Sequence, residues 1–88
     1  APLQRRVTDV LEAKGVRGYT VLRCLAGKGH DGVWQEGEIS SAGAMRLIVS
    51  IMPEDLARQV LVDLQSLLGD YAAIATLSDV EVLRGDHF

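Results

Sequence analysis

Leu3, Val7, Val10 and Leu11 recur at i, i+4, i+7 and i+8, the spacing of one face of a helix. Gln4, Arg5, Asp9 and Glu12 fall on the other face, so a helix over Ala1–Lys14 with one buried stripe is predicted. Pro2 suits its first turn, where no N–H is needed. Gly15 suits the position just past its end, where a left-handed residue stops the helix. From Val16 to Ala26 the period shortens to two, with Tyr19, Val21 and Arg23 on one side and Thr20, Leu22 and Cys24 on the other. Both sides are largely apolar, as in a strand covered on both faces by helices or by other subunits. Ala44–Met52 repeats the strand pattern, Met45, Leu47, Val49 and Ile51 alternating with Arg46, Ile48 and Ser50. Pro53, Glu54 and Asp55 then open a second helix, two acids at the positive end of its dipole. Its apolar stripe is Leu56, Val60, Leu61, Leu64, Leu67 and Leu68, and Gly69 closes it. Tyr71–Arg84 reads as a last strand with a bulge near Ser78–Asp79, followed by the short tail Gly85–Phe88.

Between the first two strands, Gly27–Gly43 shows neither period and is expected to be a loop. It carries five glycines and the one tryptophan of the chain, and a loop of that length in a small domain is functional or disordered. The order helix, strand, long loop, strand, helix, strand becomes βαββαβ, the ferredoxin-like split βαβ arrangement, once one strand is placed before it. The α+β class and this topology are the expected fold, with residues 1–88 as a single domain. The first, central strand is expected to be missing from the chain as given, or its slot to be filled by another segment.

Composition narrows the function. At 88 residues the chain is one small domain that buries only about 60–65% of its unfolded surface, so it gains readily from oligomerising. Its 48% hydrophobic content is high for one thin core and points to subunit contacts. A net charge of −3 without a basic run argues against nucleic acid. The single cysteine, Cys24, excludes an internal disulfide and fits a reducing compartment, read as a packed small side chain rather than a reactive thiol. No apolar run approaches the ~20 residues of a membrane span, and a cytoplasmic protein is expected.

Candidate chemistry is sparse. Gly27-Lys28-Gly29-His30 leaves a strand directly; successive N–H groups at such a turn cradle a phosphate and Lys28 adds charge, although a plain strand-exit turn reads the same way. It lacks the spacing of a Walker A loop. Arg84 beside Gly85 is either a solvated surface residue or a guanidinium reaching a phosphate, across a subunit boundary if need be. Trp34, with Val33 and Ile39, makes the loop tip a candidate partner-binding finger, the alternative being a tryptophan folded back on the domain. Glu36 and Glu38 read as solvated charges. His30–Asp31 and Asp86–His87 match no metal-ligand spacing, so no metal is expected. Ser40 and Ser41 lie in the loop with no base in fixed geometry, and no convergent catalytic set is found, so an enzyme is not expected.

The segments VRGYTVLRCLAGKGH, MPEDLA and GDYAAIATLSDVEVLRGDHF, in this order around a long loop, resemble the PII signalling superfamily. The GYT strand start, the GKG at the loop base, the DYA after the second helix and the EVL-x-G-x-x-F ending are most similar to the carboxysome-associated and bicarbonate-transporter-associated PII-like branch. The resemblance implies a homotrimer of ferredoxin-like subunits with adenine nucleotides, ADP or AMP, in the clefts between subunits, and bicarbonate as a further ligand. It implies that the long loop, the T-loop of that family, changes conformation with ligand and docks on a protein target, a carboxysome or bicarbonate-transporter component. Carried over, Gly18, Tyr19, Thr20, Gly27, Lys28, Gly29 and His30 would line the cleft with Asp70, Tyr71 and Ala72, while Arg84 and Gly85 approach the phosphates. The loop lacks the tyrosine uridylylated in nitrogen-regulating PII proteins, which speaks against that control. The turn after the second helix lacks their Gly/Lys-rich phosphate-binding run, which favours ADP or AMP over ATP. The competing expectation is a trimeric interaction module that presents the loop without nucleotide. A small ferredoxin-like enzyme or an amino-acid-binding regulatory domain is a third.

Overall fold

In a computed structural model, residues 3–29, 32–35, 45–69, 71 and 73–85 are described. Six elements follow one another: α1 (Leu3–Ala13), β1 (Thr20–Arg23), β2 (Ala26–Gly29), β3 (Gly32–Gln35), β4 (Arg46–Val49) and α2 (Glu54–Leu68). They fall into two compact units, one formed by Ala1–Gly18 with Ile51–Phe88 and the other by Tyr19–Ser50.

The first unit is a helix pair. Leu11 on α1, Ala57, Val60 and Leu64 on α2 and Val16 just past α1 are its buried apolar residues. Those on α2 fall at i, i+3 and i+7, the predicted stripe, with Ala57 added because a small side chain lets the helices approach closely. Thr8, the one buried polar residue among those described, turns its hydroxyl onto the Arg5 carbonyl at 3.0 Å, which removes the cost of burying it. Lys14 Nζ on the exit of α1 meets Asp63 Oδ2 on α2 at 3.3 Å. Both groups are part-exposed, so this pair contributes no more than about 1 kcal/mol. Glu54 and Arg58, one turn apart on α2, are bonded at 2.8 Å.

The end of α1 forms as its sequence predicts. Gly15 has φ of +78°. Its N–H donates to the Glu12 carbonyl at 3.1 Å and the Val16 N–H donates to the Leu11 carbonyl at 3.0 Å, the two bonds of a Schellman cap. Leu11 and Val16 are both buried, supplying the apolar pair that accompanies such a cap. Gly15→Ala is therefore expected to cost about 1–2 kcal/mol, since a Cβ is strained at this φ although nothing stands in its way. Thermal melts of the variant beside Gly15→Asn, which tolerates the conformation better, check this; equal stability of Gly15→Ala and the parent contradicts it.

α2 starts after Pro53 (φ −58°, ψ 149°), which serves as N-cap rather than first-turn residue and offers no capping side chain. Its C-cap, Gly69, is right-handed helical (φ −55°, ψ −32°), so the chain leaves this helix without the left-handed turn used at Gly15.

The second unit holds two antiparallel ladders. β1 pairs with β4, Thr20 opposite Val49, Val21 opposite Ile48, Leu22 opposite Leu47 and Arg23 opposite Arg46. The Cys24 N–H extends this ladder to the Met45 carbonyl at 3.3 Å, and the Cys24 thiol is free and half-buried. Partners in a ladder share a face, so Thr20, Leu22, Leu47 and Val49 lie together. That face is open: Leu22, Leu47 and Val49 are 47%, 52% and 44% exposed. Val21 and Ile48, on the opposite face, are half-buried. Of the two kinds of cover expected for these faces, helices or other subunits, the exposed face is left to the second.

Two expectations are corrected. The strand predicted over Val16–Ala26 stops at Arg23, and the supposed loop from Gly27 contains a hairpin, with β2 pairing to β3. Gly29 and Gly32 flank a two-residue connection, and the ladder is held by backbone bonds that a glycine-rich sequence does not advertise through side-chain period. The last strand, predicted over Tyr71–Arg84, forms no ladder among the described residues. Ala73–Val82 is exposed throughout, Ile74 at 90%. A strand exists by pairing its backbone, so the alternation of this segment marks a capacity to pair that no neighbouring strand meets here.

Candidate functional site

The candidate ligand residues lie on both units. On the second unit, Tyr19 is half-buried just before β1, Thr20 begins β1 and is exposed, and Gly27, Lys28 and Gly29 sit on β2 opposite Trp34, Val33 and Gly32 of β3. The expectation of a strand-exit turn at Gly27–Gly29 is therefore corrected: these residues belong to a strand. The N–H groups of a strand point alternately to opposite sides, so they do not converge on one anion as those of a nest do. What β2 offers an anion is the exposed Lys28 ammonium, fixed at its root by the hairpin. Val33 and Trp34 of the candidate partner-binding set lie on β3. Ile39 and His30 lie outside the described residues, as does most of the long loop.

On the first unit, Gly18 is exposed between α1 and the first strand, and Arg84 and Gly85 form an exposed turn. A Cβ at Gly18 or Gly85 would meet nothing within 4 Å, so packing does not require glycine at either place. Close approach of a ligand to the backbone would. Gly85 also lines a cleft of about 340 Å³ with Pro53, Glu54, Ala57, Leu77 and Asp79. The walls are mainly apolar and their charged residues are two acids, Glu54, which is paired with Arg58, and Asp79, so the lining offers a phosphate no cation.

The turn after α2 is anchored more firmly than its sequence suggested. The Tyr71 N–H donates to the Leu68 carbonyl at 3.0 Å and the Ala73 N–H to the Tyr71 carbonyl at 2.9 Å. The Arg6 guanidinium Nη1 on α1 donates to the Tyr71 hydroxyl at 3.0 Å. Arg6 carried no signal in the sequence, because its partner lies 65 positions away and no periodicity links them. Asp70 and Ala72 lie outside the described residues. Among the described residues no group of acidic, histidine or cysteine side chains is arranged to hold a metal ion. No helix among them is long and apolar enough to cross a membrane.

Comparison with known proteins adds to this geometry. The profile of the family described as nitrogen regulatory protein P-II matches residues 1–87. No curated protein matches the chain. Among solved structures, the chain is similar to CPII, a nitrogen regulatory PII-like protein from Thiomonas intermedia K12 whose structure holds ADP, AMP and bicarbonate. The two share 28% identity and superpose with a TM-score of 0.80 over 97% of this chain and 81% of that one. The fold is accordingly α+β and ferredoxin-like, with two helices and antiparallel pairing.

Proposed function

This chain belongs to the nitrogen regulatory protein P-II family, and from that membership we propose that it is a PII-like regulatory protein that senses adenine nucleotides. The observation that carries the reading is its likeness, over almost its whole length, to a PII-like protein bound to ADP, AMP and bicarbonate. ADP or AMP occupies clefts between the subunits of a homotrimer, and bicarbonate is a second ligand. The cleft residues are Gly18, Tyr19, Thr20, Gly27, Lys28, Gly29 and His30 together with Asp70, Tyr71, Ala72, Arg84 and Gly85. Lys28 and Arg84 neutralise the phosphates. The role is regulatory rather than catalytic, in the carboxysome- and bicarbonate-transporter-associated branch of the family.

The mechanism follows from the hairpin. Lys28 is on β2, and Trp34 is in register opposite Gly27 on β3. A phosphate that engages Lys28 favours one arrangement of the hairpin over others, and the loop continuing from β3 shifts with it. A ligand moves such an equilibrium only by its difference in affinity for the two states, which the phosphate charge at Lys28 supplies. The loop then offers or withholds Val33, Trp34 and Ile39 to a protein target in inorganic carbon metabolism. Calorimetry of the protein with AMP, ADP, ATP and cyclic AMP, each with and without bicarbonate, tests this. Saturable binding of ADP or AMP is expected, tighter than that of ATP. Absence of binding by all four, with partner capture indifferent to nucleotide, would replace it with a nucleotide-independent interaction module.

A further inference from the structure

We infer that Arg6 is a positioning residue, its guanidinium clamping Tyr71 so that the turn after α2 is held to α1. Two features of the turn make the clamp matter. Its own backbone bonds, Tyr71 to Leu68 and Ala73 to Tyr71, are local: they join the turn to the end of α2 and not to α1. Tyr71 is 42% exposed, so burial does not hold it either. The Arg6–Tyr71 bond joins the turn to a helix distant in sequence. That helix is itself fixed, since Thr8 and Leu11 are buried and Lys14 is paired with Asp63 of α2. Arg6 therefore stands on a docked base, five residues before the buried Leu11 of α1, and transmits the position of the helix pair to the turn. A guanidinium suits this role, because it stays charged and donates to a phenol oxygen without competing for the phenol's own proton.

The clamp stands on the geometry alone; its effect on ligand rests on the nucleotide-binding reading above. Two measurements on the full chain separate them. Amide hydrogen exchange at Tyr71 and Ala73, without nucleotide, reads the clamp directly. Arg6→Ala and Tyr71→Phe are each expected to speed exchange at these two amides by about two- to tenfold, the effect of one net hydrogen bond. Arg6→Lys, which keeps the charge and most of the stem, recovers part of the protection. Amides in the middle of α2 are expected to keep the parent's rate, which distinguishes loss of positioning from general unfolding. Unchanged exchange at Tyr71 and Ala73 in both variants overturns the clamp. In calorimetry with ADP, each variant weakens binding about two- to tenfold, and the double variant is no weaker than the worse single one, as for two residues acting through one bond. If the parent binds ADP and both single variants bind it equally well, the positioning role is overturned while the proposed function stands. If the parent binds no nucleotide but exchange responds as stated, the proposed function fails and the clamp stands as a structural tie.

Discussion

Truncating Leu64 to alanine is expected to lower stability by about 2–5 kcal/mol, the range for a buried leucine whose cavity the surroundings only partly fill. Leu64 is 8% exposed, in the middle of the α2 stripe, on one of two helices that carry the core of the first unit. Marginal stability of roughly 0.05–0.15 kcal/mol per residue gives a chain of 88 residues about 4–13 kcal/mol in total. The substitution therefore removes a large share, and a loss near 3 kcal/mol lowers Tm by about 12–24 °C in a domain of this size. Val62 lies on the same helix but is 65% exposed. Val62→Ala is expected to stay within about 0.5 kcal/mol of the parent. Thermal and denaturant melts of the two variants decide the matter: similar losses from both would mean that the helix pair is not the core.

The second large effect is on ligand. Lys28→Ala and Arg84→Ala are each expected to weaken ADP binding by about 1–3 kcal/mol, or roughly five- to 150-fold, the loss of one charge-assisted contact. Both side chains are exposed. Removing either leaves no buried charge behind, and the loss reports on the ligand contact itself. Arg58, also exposed but paired with Glu54 on α2, provides the control of equal charge. Arg58→Ala is expected to bind ADP as the parent does. The losses at Lys28 and Arg84 shrink as salt rises, since both contacts are made near solvent. Parent-like titrations from both Lys28→Ala and Arg84→Ala would remove the phosphate role of these residues.

What the sequence made legible is what side-chain pattern controls. The Leu3–Leu11 and Leu56–Leu68 stripes announced both helices, and Gly15 announced the cap that its φ of +78° completes. Leu22, Leu47 and Val49 announced a ladder, and β1 and β4 pair where the alternation placed them. The β2–β3 hairpin was hidden because its first strand is Ala-Gly-Lys-Gly, with almost no side-chain alternation to read. Val33, Trp34 and Gln35, two of them strong strand formers, and the two-residue spacing between Gly29 and Gly32 were the available signals. Ala73–Val82 misled in the other direction. Its alternation is that of a strand, but alternation cannot say whether a partner backbone stands beside it. For the candidate site, GKG and the resemblance of the chain to PII-like proteins selected residues, while the family match speaks for the chain as a whole and not for those residues. The Arg6–Tyr71 tie was beyond reach, because a contact between distant segments depends on how the two helices dock.

If another copy of the chain covers the open face of the β1–β4 ladder, concentration becomes a variable of this protein's stability. Leu22, Leu47, Val49 and the adjoining Met45 each keep about half of their surface in water. Covering that remaining half yields roughly 3–6 kcal/mol, at about 1.5–3 kcal/mol for complete burial of each side chain. By mass action, a species that covers the face stabilises the fold by RT ln(1 + [L]/Kd). If that species is another copy of the chain, dilution acts as a denaturant. A melting temperature measured at nanomolar protein and one measured at millimolar protein then describe different equilibria.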